Sequence, residues 1–214
     1  MITFPKNTEI FQKIPKNTFY ENCDIDKTTK KKFVDYIDSI YMMNKISKDT
    51  ANIEPTKNIE EVFVFQINLK NKKYFEKIED LLEIMDKSIP YPILFQIKFE
   101  NKSIYKIAYK EKSKVDLNKC IVDIYLTKEN IEVSENNNLF NSMNLEIFYE
   151  RLLLLFLDNF KESDVSKAIQ KYKKYKSLNK ELELLEKKIL KEKQADNQYK
   201  LYTEIKRIKK ELGM

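Results

Sequence analysis

One short segment of the chain alternates strictly between large apolar residues and other residues. In Glu61–Leu69, every second residue from Phe63 onward is large and apolar, which is the period of a β-strand with one buried face. Further runs rich in β-branched and aromatic residues predict more strands, and the polar tetrapeptide Glu100–Ser103 predicts a hairpin turn. The additional predicted strands are Ile93–Phe99, Ile104–Tyr109, Cys120–Leu126 and, in a second hairpin, Ile131–Val133.

Other segments place their apolar residues three and four positions apart, which is the period of an amphipathic helix. Phe33, Ile37 and Ile40, for example, would share one helical face. The predicted helices are Thr8–Ile14, Thr28–Met43, Tyr74–Met85 and Met143–Phe160. Together with the strands, they predict an α+β fold, with a four- to five-stranded, largely antiparallel sheet and helices on one face.

The C-terminal segment 162–212 contains neither proline nor glycine, so it is predicted to be helical. It carries two apolar seams with the alternating spacing of four and three residues that is typical of coiled coils. The seams are Leu178, Leu182, Leu185 and Ile189, and then Leu201, Ile205, Ile208 and Leu212. They are out of phase across Glu192–Gln198, so the segment is either a helical hairpin or one long helix that changes its partner face. The predicted domains are an α+β core (1–140), a core-packing helix (141–160) and a coiled-coil-like helical arm (161–214).

Charge is concentrated in the arm. The whole chain has a net charge of +6, and residues 161–214 hold 16 Lys and Arg against 9 Asp and Glu, a net of +7 that leaves −1 for the rest. The densest basic cluster surrounds two tyrosines and is suited to contact with a DNA or RNA backbone. The alternative is a solvated helix whose lysines pair with glutamates while the tyrosines pack inward. The cluster comprises Lys167, Lys171, Tyr172, Lys173, Lys174, Tyr175 and Lys176.

Two residue types are nearly or entirely missing. The chain has no histidine, which excludes Ser-His and Cys-His catalytic arrangements and the commonest zinc sites. Its one glycine is Gly213, which excludes the glycine-rich phosphate loops of nucleotide-binding folds. No apolar run reaches the ~20 residues of a membrane span, and no leader sequence is evident. We therefore expect a soluble, cytoplasmic protein with no cofactor and no membrane association.

One short motif resembles a nuclease site. Glu100-Asn101-Lys102 has the form (D/E)xK of restriction-type nucleases, and Asp86 lies upstream as a second carboxylate. Two carboxylates would hold Mg²⁺ while the lysine positions the attacking water. The same triplet falls in the predicted turn, where polar residues are expected anyway. We therefore predict no catalytic residues and no metal ligands, and keep a metal-dependent nuclease as the alternative.

Several short motifs together resemble a bacterial family catalogued as domain of unknown function 4391. They are Ile14-Pro15-Lys16 with Tyr20, Lys45-Ile46-Ser47 with Thr50-Ala51-Asn52-Ile53, Ile89–Phe95, Ala108-Tyr109-Lys110 and Lys191–Gln194. The resemblance spans nearly the whole chain, although the Ala195–Asn197 region is less basic than in that family. It implies gene neighbours such as helicases and DNA methyltransferases of restriction-type, anti-phage systems.

The family motifs also mark polar positions suited to binding, since polar motif residues in loops more often serve binding than packing. The alternative is that Thr50 and Asn52 cap a turn while the lysines are surface residues. These candidates are Lys16, Lys45, Thr50, Asn52 and Lys110.

These features together favour a non-enzymatic accessory or interaction protein, expected as a subunit of a DNA-directed restriction or anti-phage assembly. Its expected partners are a protein or a second copy bound through the C-terminal helices, a nucleic-acid backbone, and helicase or methyltransferase subunits. A pure oligomerisation module is the remaining alternative.

Overall fold

The computed structural model describes residues 3–22, 25–112, 120–129, 131, 139–160 and 162–214. The fold is α+β, as predicted. The chain forms two compact units, Met1–Phe156 and Leu157–Met214.

The first unit is built on a six-stranded sheet whose strands lie side by side in sequence order. Neighbouring strands are antiparallel, except for a parallel central pair, the third and fourth strands. The crossover between these two strands contains a helix, as is usual for parallel connections. The strands are β1 (Glu9–Ile14), β2 (Ile37–Ile46), β3 (Val62–Leu69), β4 (Ile93–Phe99), β5 (Lys102–Lys112) and β6 (Cys120–Lys128). The sheet is therefore mixed, and it has more strands than the four to five predicted.

Three helices cover one face of this sheet. These are α1 (Asn17–Asn22), α2 (Lys27–Tyr36) and the crossover helix α4 (Glu79–Ser88), and a short α3 (Lys48–Ala51) follows β2. The side chains between the helices and the sheet form the main core, in which Phe33, Phe65, Phe95 and Leu82 are among the fully buried residues. We call this side the helical face of the sheet.

Another helix of the first unit, which we call the body, is α5 (Leu145–Phe156), and it lies on the opposite face of the sheet. Lys128 is the cross-strand neighbour of Tyr105 and points away from the helical face, and its Nζ donates to the carbonyl of Leu155 at 3.0 Å. The prediction that helices cover only one face was therefore wrong. In β3 one alternating set of side chains is apolar throughout, and Val62 and Val64 of the other set are also buried, as expected for a strand covered on both sides.

The predicted helix Thr28–Met43 is a helix only as far as Tyr36, and its second half is β2. Ile37 and Ile40 are three residues apart yet both lie in the main core. A register irregularity between Ile37 and Ser39 explains this spacing, because an extra residue in a strand shifts the alternation by one position. The bulge thus imitates a helical pattern.

The predicted helix Thr8–Ile14 was also wrong, because Glu9–Ile14 is the edge strand β1. The segment has no continuous apolar face of its own, and it is ordered by pairing with β2. The buried Thr8 supports this start: its hydroxyl donates to the Pro5 carbonyl and accepts from Asn44 Nδ2 at 2.9 Å.

The remaining predicted strands and the first hairpin are confirmed. β4 and β5 are joined by the two-residue turn Glu100-Asn101, with Phe99 opposite Lys102. The second predicted hairpin cannot be compared, because all of Ile131–Val133 except Ile131 lies outside the described residues.

In the second unit, two helices form a hairpin, which decides between the two predicted arrangements. They are α6 (Val165–Ile189) and α7 (Ala195–Glu211). The two apolar seams bury each other, with Leu182, Ile205 and Ile208 at the centre and Leu178, Leu185, Ile189 and Leu212 around them. The chain reverses through residues 190–194, where Gln194 has an extended backbone.

Candidate functional site

The candidate residues Lys45, Thr50 and Asn52 all take part in local contacts. Lys45 Nζ pairs with Glu61 Oε1 at 2.5 Å. The Thr50 hydroxyl donates to the Lys45 carbonyl at 2.6 Å and accepts the Ser47 amide at 3.0 Å, which forms a capping box at the start of α3. Asn52 ends α3 in the left-handed conformation, with a φ of 53°, which asparagine tolerates better than most residues. The contacts of Thr50 and Asn52 match the alternative in which these two residues cap a turn.

Lys16 is half-buried beside the first residue of β2. Its Nζ donates to the carbonyl of Ile37. Burial, together with the nearby Lys70, holds the pKa of Lys16 below the usual lysine value. The ammonium thus ties the loop after β1 to the start of β2.

Lys110 lies in the interior and forms an ion pair with Asp86. The side chains are 2% and 0% exposed, and Lys110 Nζ is 2.8 Å from Asp86 Oδ1. The same ammonium donates to the carbonyls of Asp86 at 3.1 Å and Ile89 at 2.9 Å. Asp86 is near the C-terminal end of α4, where unpaired carbonyls give the helix a partial negative charge. Lys110 therefore caps this helix and joins it to β5.

Two further side chains complete the Lys110–Asp86 cluster. The hydroxyl of Tyr125 donates to Asp86 Oδ2, and the thiol of Cys120 donates to the Asp86 carbonyl at 2.7 Å. Burial raises the pKa of Asp86 despite the opposing charge of Lys110, and it also raises the pKa of the Cys120 thiol. A thiol held protonated in this way is a poor nucleophile.

Next to this cluster lies a β-bulge, and a side chain of α5 forms hydrogen bonds with the backbone beside it. Tyr109 lies opposite Ile124 and Lys110 opposite Val122, so β6 carries one extra residue. The hydroxyl of Tyr149 donates to the carbonyl of Ala108 and accepts the amide of Lys110 at 3.1 Å. Helix α4, the strands and α5 are therefore joined at one point by polar contacts, which makes the cluster an anchor of the fold that is closed to ligands.

The residues of the nuclease-like motif do not converge. Glu100 is exposed in the β4–β5 turn, with a φ of 51°, and Lys102 Nζ pairs with Glu129 at 3.0 Å. Asp86 contacts Lys110, which is eight residues further along β5 and thus about 26 Å from the turn at the usual rise of a strand. Among the described residues, no group of three or more His, Cys, Asp or Glu side chains is placed to hold a metal ion.

The predicted basic cluster of the arm divides between different faces of α6. Lys171 pairs with Glu162, and Lys174 Nζ is 3.8 Å from Glu211 Oε2. Tyr172 and Tyr175 both pack edge-on against Phe160, at ring distances of 5.7 and 5.8 Å. Lys167, Lys171 and Lys174 follow one another at helical spacing on the side of the apolar seam, so the seven residues do not form one surface.

The opposite side of α6 carries a different line of lysines. Lys176, Lys180 and Lys187 are four and seven residues apart, which places them on one face, away from the seam. All three are exposed, and none forms an ion pair within the described part of the chain. Glu183 and Leu184 occupy the turn between Lys180 and Lys187. We call these three lysines the basic face of the hairpin.

A row of polar side chains crosses the body's sheet on the face opposite the main core. Each member is the direct cross-strand neighbour of the next, and the row spans all six strands, about 24 Å at the usual strand spacing. The row consists of Lys13, Tyr41, Gln66, Gln96, Tyr105 and Lys128. Gln96 and Tyr105 are buried and bonded to each other at 2.9 Å, whereas Lys13 is exposed and Tyr41 and Gln66 are half-buried. Sequence reasoning missed this row, although Gln66 is one of the two polar residues, with Asn68, in the otherwise apolar strand β3.

The described part of the chain holds no helix that is long and apolar enough to cross a membrane. The body and the hairpin define an α+β protein with a six-stranded mixed sheet and a C-terminal helical hairpin. The chain belongs to the family described as Domain of unknown function (DUF4391), whose model matches residues 2–212. The resemblance seen in the sequence motifs is thus confirmed. No curated protein and no solved structure matches the chain.

Proposed function

We propose that this protein is a non-enzymatic accessory protein that binds nucleic acid through its phosphate backbone, with the basic face of the hairpin as the contact surface. The observation that carries the proposal is the line of Lys176, Lys180 and Lys187, which are exposed and without ion pairs among the described residues. When lysines without ion pairs contact phosphates, counterions that were condensed on the nucleic acid are released, and this release drives backbone binding.

The way in which the hairpin uses its apolar residues supports this proposal over a pure oligomerisation module. The two seams bury each other, and Ile208 is 0% exposed. The seams are therefore already occupied within one chain. The side of α6 that faces away from the seam carries mainly lysines. A positively charged surface suits a polyanion better than an apolar partner helix.

The chemistry of the basic face suits backbone contact without base readout. Lysine is a point charge, whereas arginine is the usual residue for bidentate contacts with bases, and the basic face contains lysine only. From Lys176 to Lys187 the helix rises about 16 Å, which matches the axial length of roughly five nucleotides in one strand of a duplex. The proposed partners are the helicase or methyltransferase subunits of a restriction-type assembly, which the protein would help to hold on DNA.

A pair of charge-matched variants tests the proposal with the full chain. The triple substitution Lys176→Gln, Lys180→Gln and Lys187→Gln removes the basic face, and Lys30→Gln, Lys57→Gln and Lys77→Gln removes three exposed lysines from the body. Each variant lowers the net charge by three. Affinity for a fluorescent oligonucleotide is measured by anisotropy at low salt, and circular dichroism checks the fold.

We expect the first variant to bind about tenfold or more weakly than the wild type, because each lost phosphate contact lowers affinity several-fold at low salt. The control variant should stay within about threefold of the wild type. Equal losses in both variants would mean that net charge alone determines binding, and wild-type affinity in the first variant would overturn the proposal.

A further inference from the structure

Phe11, on the edge strand β1, combines two unfavourable features. Its side chain is 69% exposed, and its backbone has a φ of 49°, in the left-handed region. This conformation costs a bulky residue about 1–2 kcal/mol, and an exposed ring gains little from burial. Glycine or asparagine would fit this backbone better. Phe11 lies within the register irregularity between Glu9 and Gln12, which sets its backbone, so its exposed ring is the feature that packing does not explain.

The ring of Phe11 lies against the open end of the polar row. It stacks on Tyr41, with ring centres 5.6 Å apart and an angle of 25° between the planes. Lys13 and Gln66 are the cross-strand neighbours of Tyr41 on its two sides. An aromatic pair, an exposed ammonium and an amide therefore share one surface at the edge of the sheet.

This combination matches the parts of a nucleotide. Exposed aromatic rings stack on unpaired bases of any sequence, at a gain of about 1–3 kcal/mol per base, and a lysine beside them is suited to the phosphate. The Gln66 amide already donates to Asn68 Oδ1 at 3.1 Å, which fixes the side chain and leaves its oxygen as an acceptor for a base edge. The centre of a protein interface would instead be expected in an apolar surround.

We propose that Phe11, Tyr41, Lys13 and Gln66 form a stacking site for single-stranded nucleic acid. The inference rests on the proposed function, because it takes nucleic acid as the ligand, and it deepens that function by naming single strands as the class. The basic face makes no distinction between strands, whereas a ring can stack only on a base that is not already paired in a duplex.

The test compares three variants of the full chain for binding to a single-stranded oligonucleotide and to a duplex of the same sequence. Phe11→Ala removes the ring, Phe11→Gly removes the ring and the backbone strain, and Val34→Ala shortens a smaller, aliphatic side chain that is 50% exposed on α2. Melting temperature is measured for each variant, and mass in solution is measured by sedimentation.

We expect Phe11→Ala and Phe11→Gly to weaken single-strand binding about 5- to 150-fold, the usual range for one lost stacking contact. Duplex binding and the Val34→Ala variant should stay within about twofold of the wild type. Phe11→Gly should melt no lower than Phe11→Ala, since glycine adopts the left-handed conformation freely. This comparison separates lost binding from lost folding.

Two results would overturn the inference. In the first, Phe11→Ala leaves single-strand affinity unchanged, or lowers single-strand and duplex affinity equally. In the second, Phe11→Ala lowers the mass in solution without changing single-strand affinity, which would make this edge a contact between copies. Neither result affects the proposed function, which the basic-face variant and its charge-matched control test separately.

Discussion

Replacing Lys110 by methionine tests the idea that the Lys110–Asp86 pair anchors α4 to the sheet. Methionine keeps the length of the side chain and most of its volume but removes the ammonium. The Asp86 carboxylate, which is 0% exposed, would lose its cation, and the carbonyls of Asp86 and Ile89 would lose a donor. Breaking a buried pair by removing one partner costs about 3–5 kcal/mol, because an uncompensated charge remains inside.

The assay is unfolding by guanidinium chloride, followed by circular dichroism and tyrosine fluorescence near neutral pH. With a slope of about 4 kcal/mol per molar for a unit of this size, the expected loss moves the midpoint down by about 1 M. Lys106→Met is the matched control, because Lys106 lies on the same strand and face but pairs with Glu79, which is 46% exposed. Water can solvate that carboxylate, so we expect the control to lose about 1 kcal/mol.

The pH dependence of the Lys110→Met variant gives a second readout. Burial already raises the pKa of Asp86, and the opposing charge of Lys110 limits the rise; without Lys110 the pKa should rise further. A carboxyl with a raised pKa binds its proton more tightly in the folded state, so its contribution to stability falls as pH rises above the unfolded value of about 4. The deficit of Lys110→Met should therefore be larger at neutral pH than at mildly acidic pH.

Removing the charge of Asp86 as well should recover part of the stability. In the double variant Lys110→Met and Asp86→Asn neither charge of the pair is left buried, so we expect at least half of the loss to return. A cost of less than about 1 kcal/mol for Lys110→Met near neutral pH would contradict an anchoring role for the pair. An equal deficit at mildly acidic and at neutral pH would contradict it as well.

Two further predictions concern the turn and the hairpin. Glu100→Gly should raise the melting temperature slightly, by a gain of about 0.5–1 kcal/mol, because glycine adopts the φ of 51° without strain; a lower melting temperature would contradict this. Because the Glu100 carboxylate takes no part in the proposed binding, the variant should also keep its affinity for DNA. Ile208→Ala should lower the stability of the hairpin by about 2–4 kcal/mol, because Ile208 is 0% exposed between the two seams. An unchanged thermal transition of the helical signal in circular dichroism would show that the seam is not the source of the hairpin's stability.

The sequence was sufficient wherever one physical signal dominated. The strict alternation in Val62–Leu69 and the polar turn after Phe99 predicted β3 and the β4–β5 hairpin, because a two-residue period is typical of strands and of little else. The two seams of the arm predicted the helices of the hairpin, because an alternating spacing of four and three residues is typical of helices that pack together. The choice of a hairpin over one helix depended on tertiary packing, since the chain turns at residues 190–194 without a glycine or proline.

Local reasoning failed where tertiary pairing or a bulge changed the pattern. The spacing of Ile37 and Ile40 is helical in sequence but comes from a bulged strand, and β1 exists because it pairs with β2. The polar row could not be predicted from the sequence for a related reason. Lys13 and Tyr41 become neighbours only through the register between two strands, and no sequence motif encodes that register.

Individual candidate residues also depended on contacts that only the fold reveals. Lys110 was selected as a polar motif residue, but its partner Asp86 comes from α4, 24 positions earlier in the chain. Within the basic cluster, helical geometry separates Lys171 and Lys174, which approach glutamates, from Lys176, which does not. Sequence density alone could not make this distinction.

The most direct test of the central proposal is the salt dependence of oligonucleotide binding by the wild-type chain and by the variant that lacks the basic face. For single strands, the slope of log K against log salt is about −0.7 per phosphate contact. If Lys176, Lys180 and Lys187 each contact one phosphate, the slope of the variant should be shallower than that of the wild type by about 2. Equal slopes for the two proteins would contradict the account, because the basic face would then make no backbone contacts.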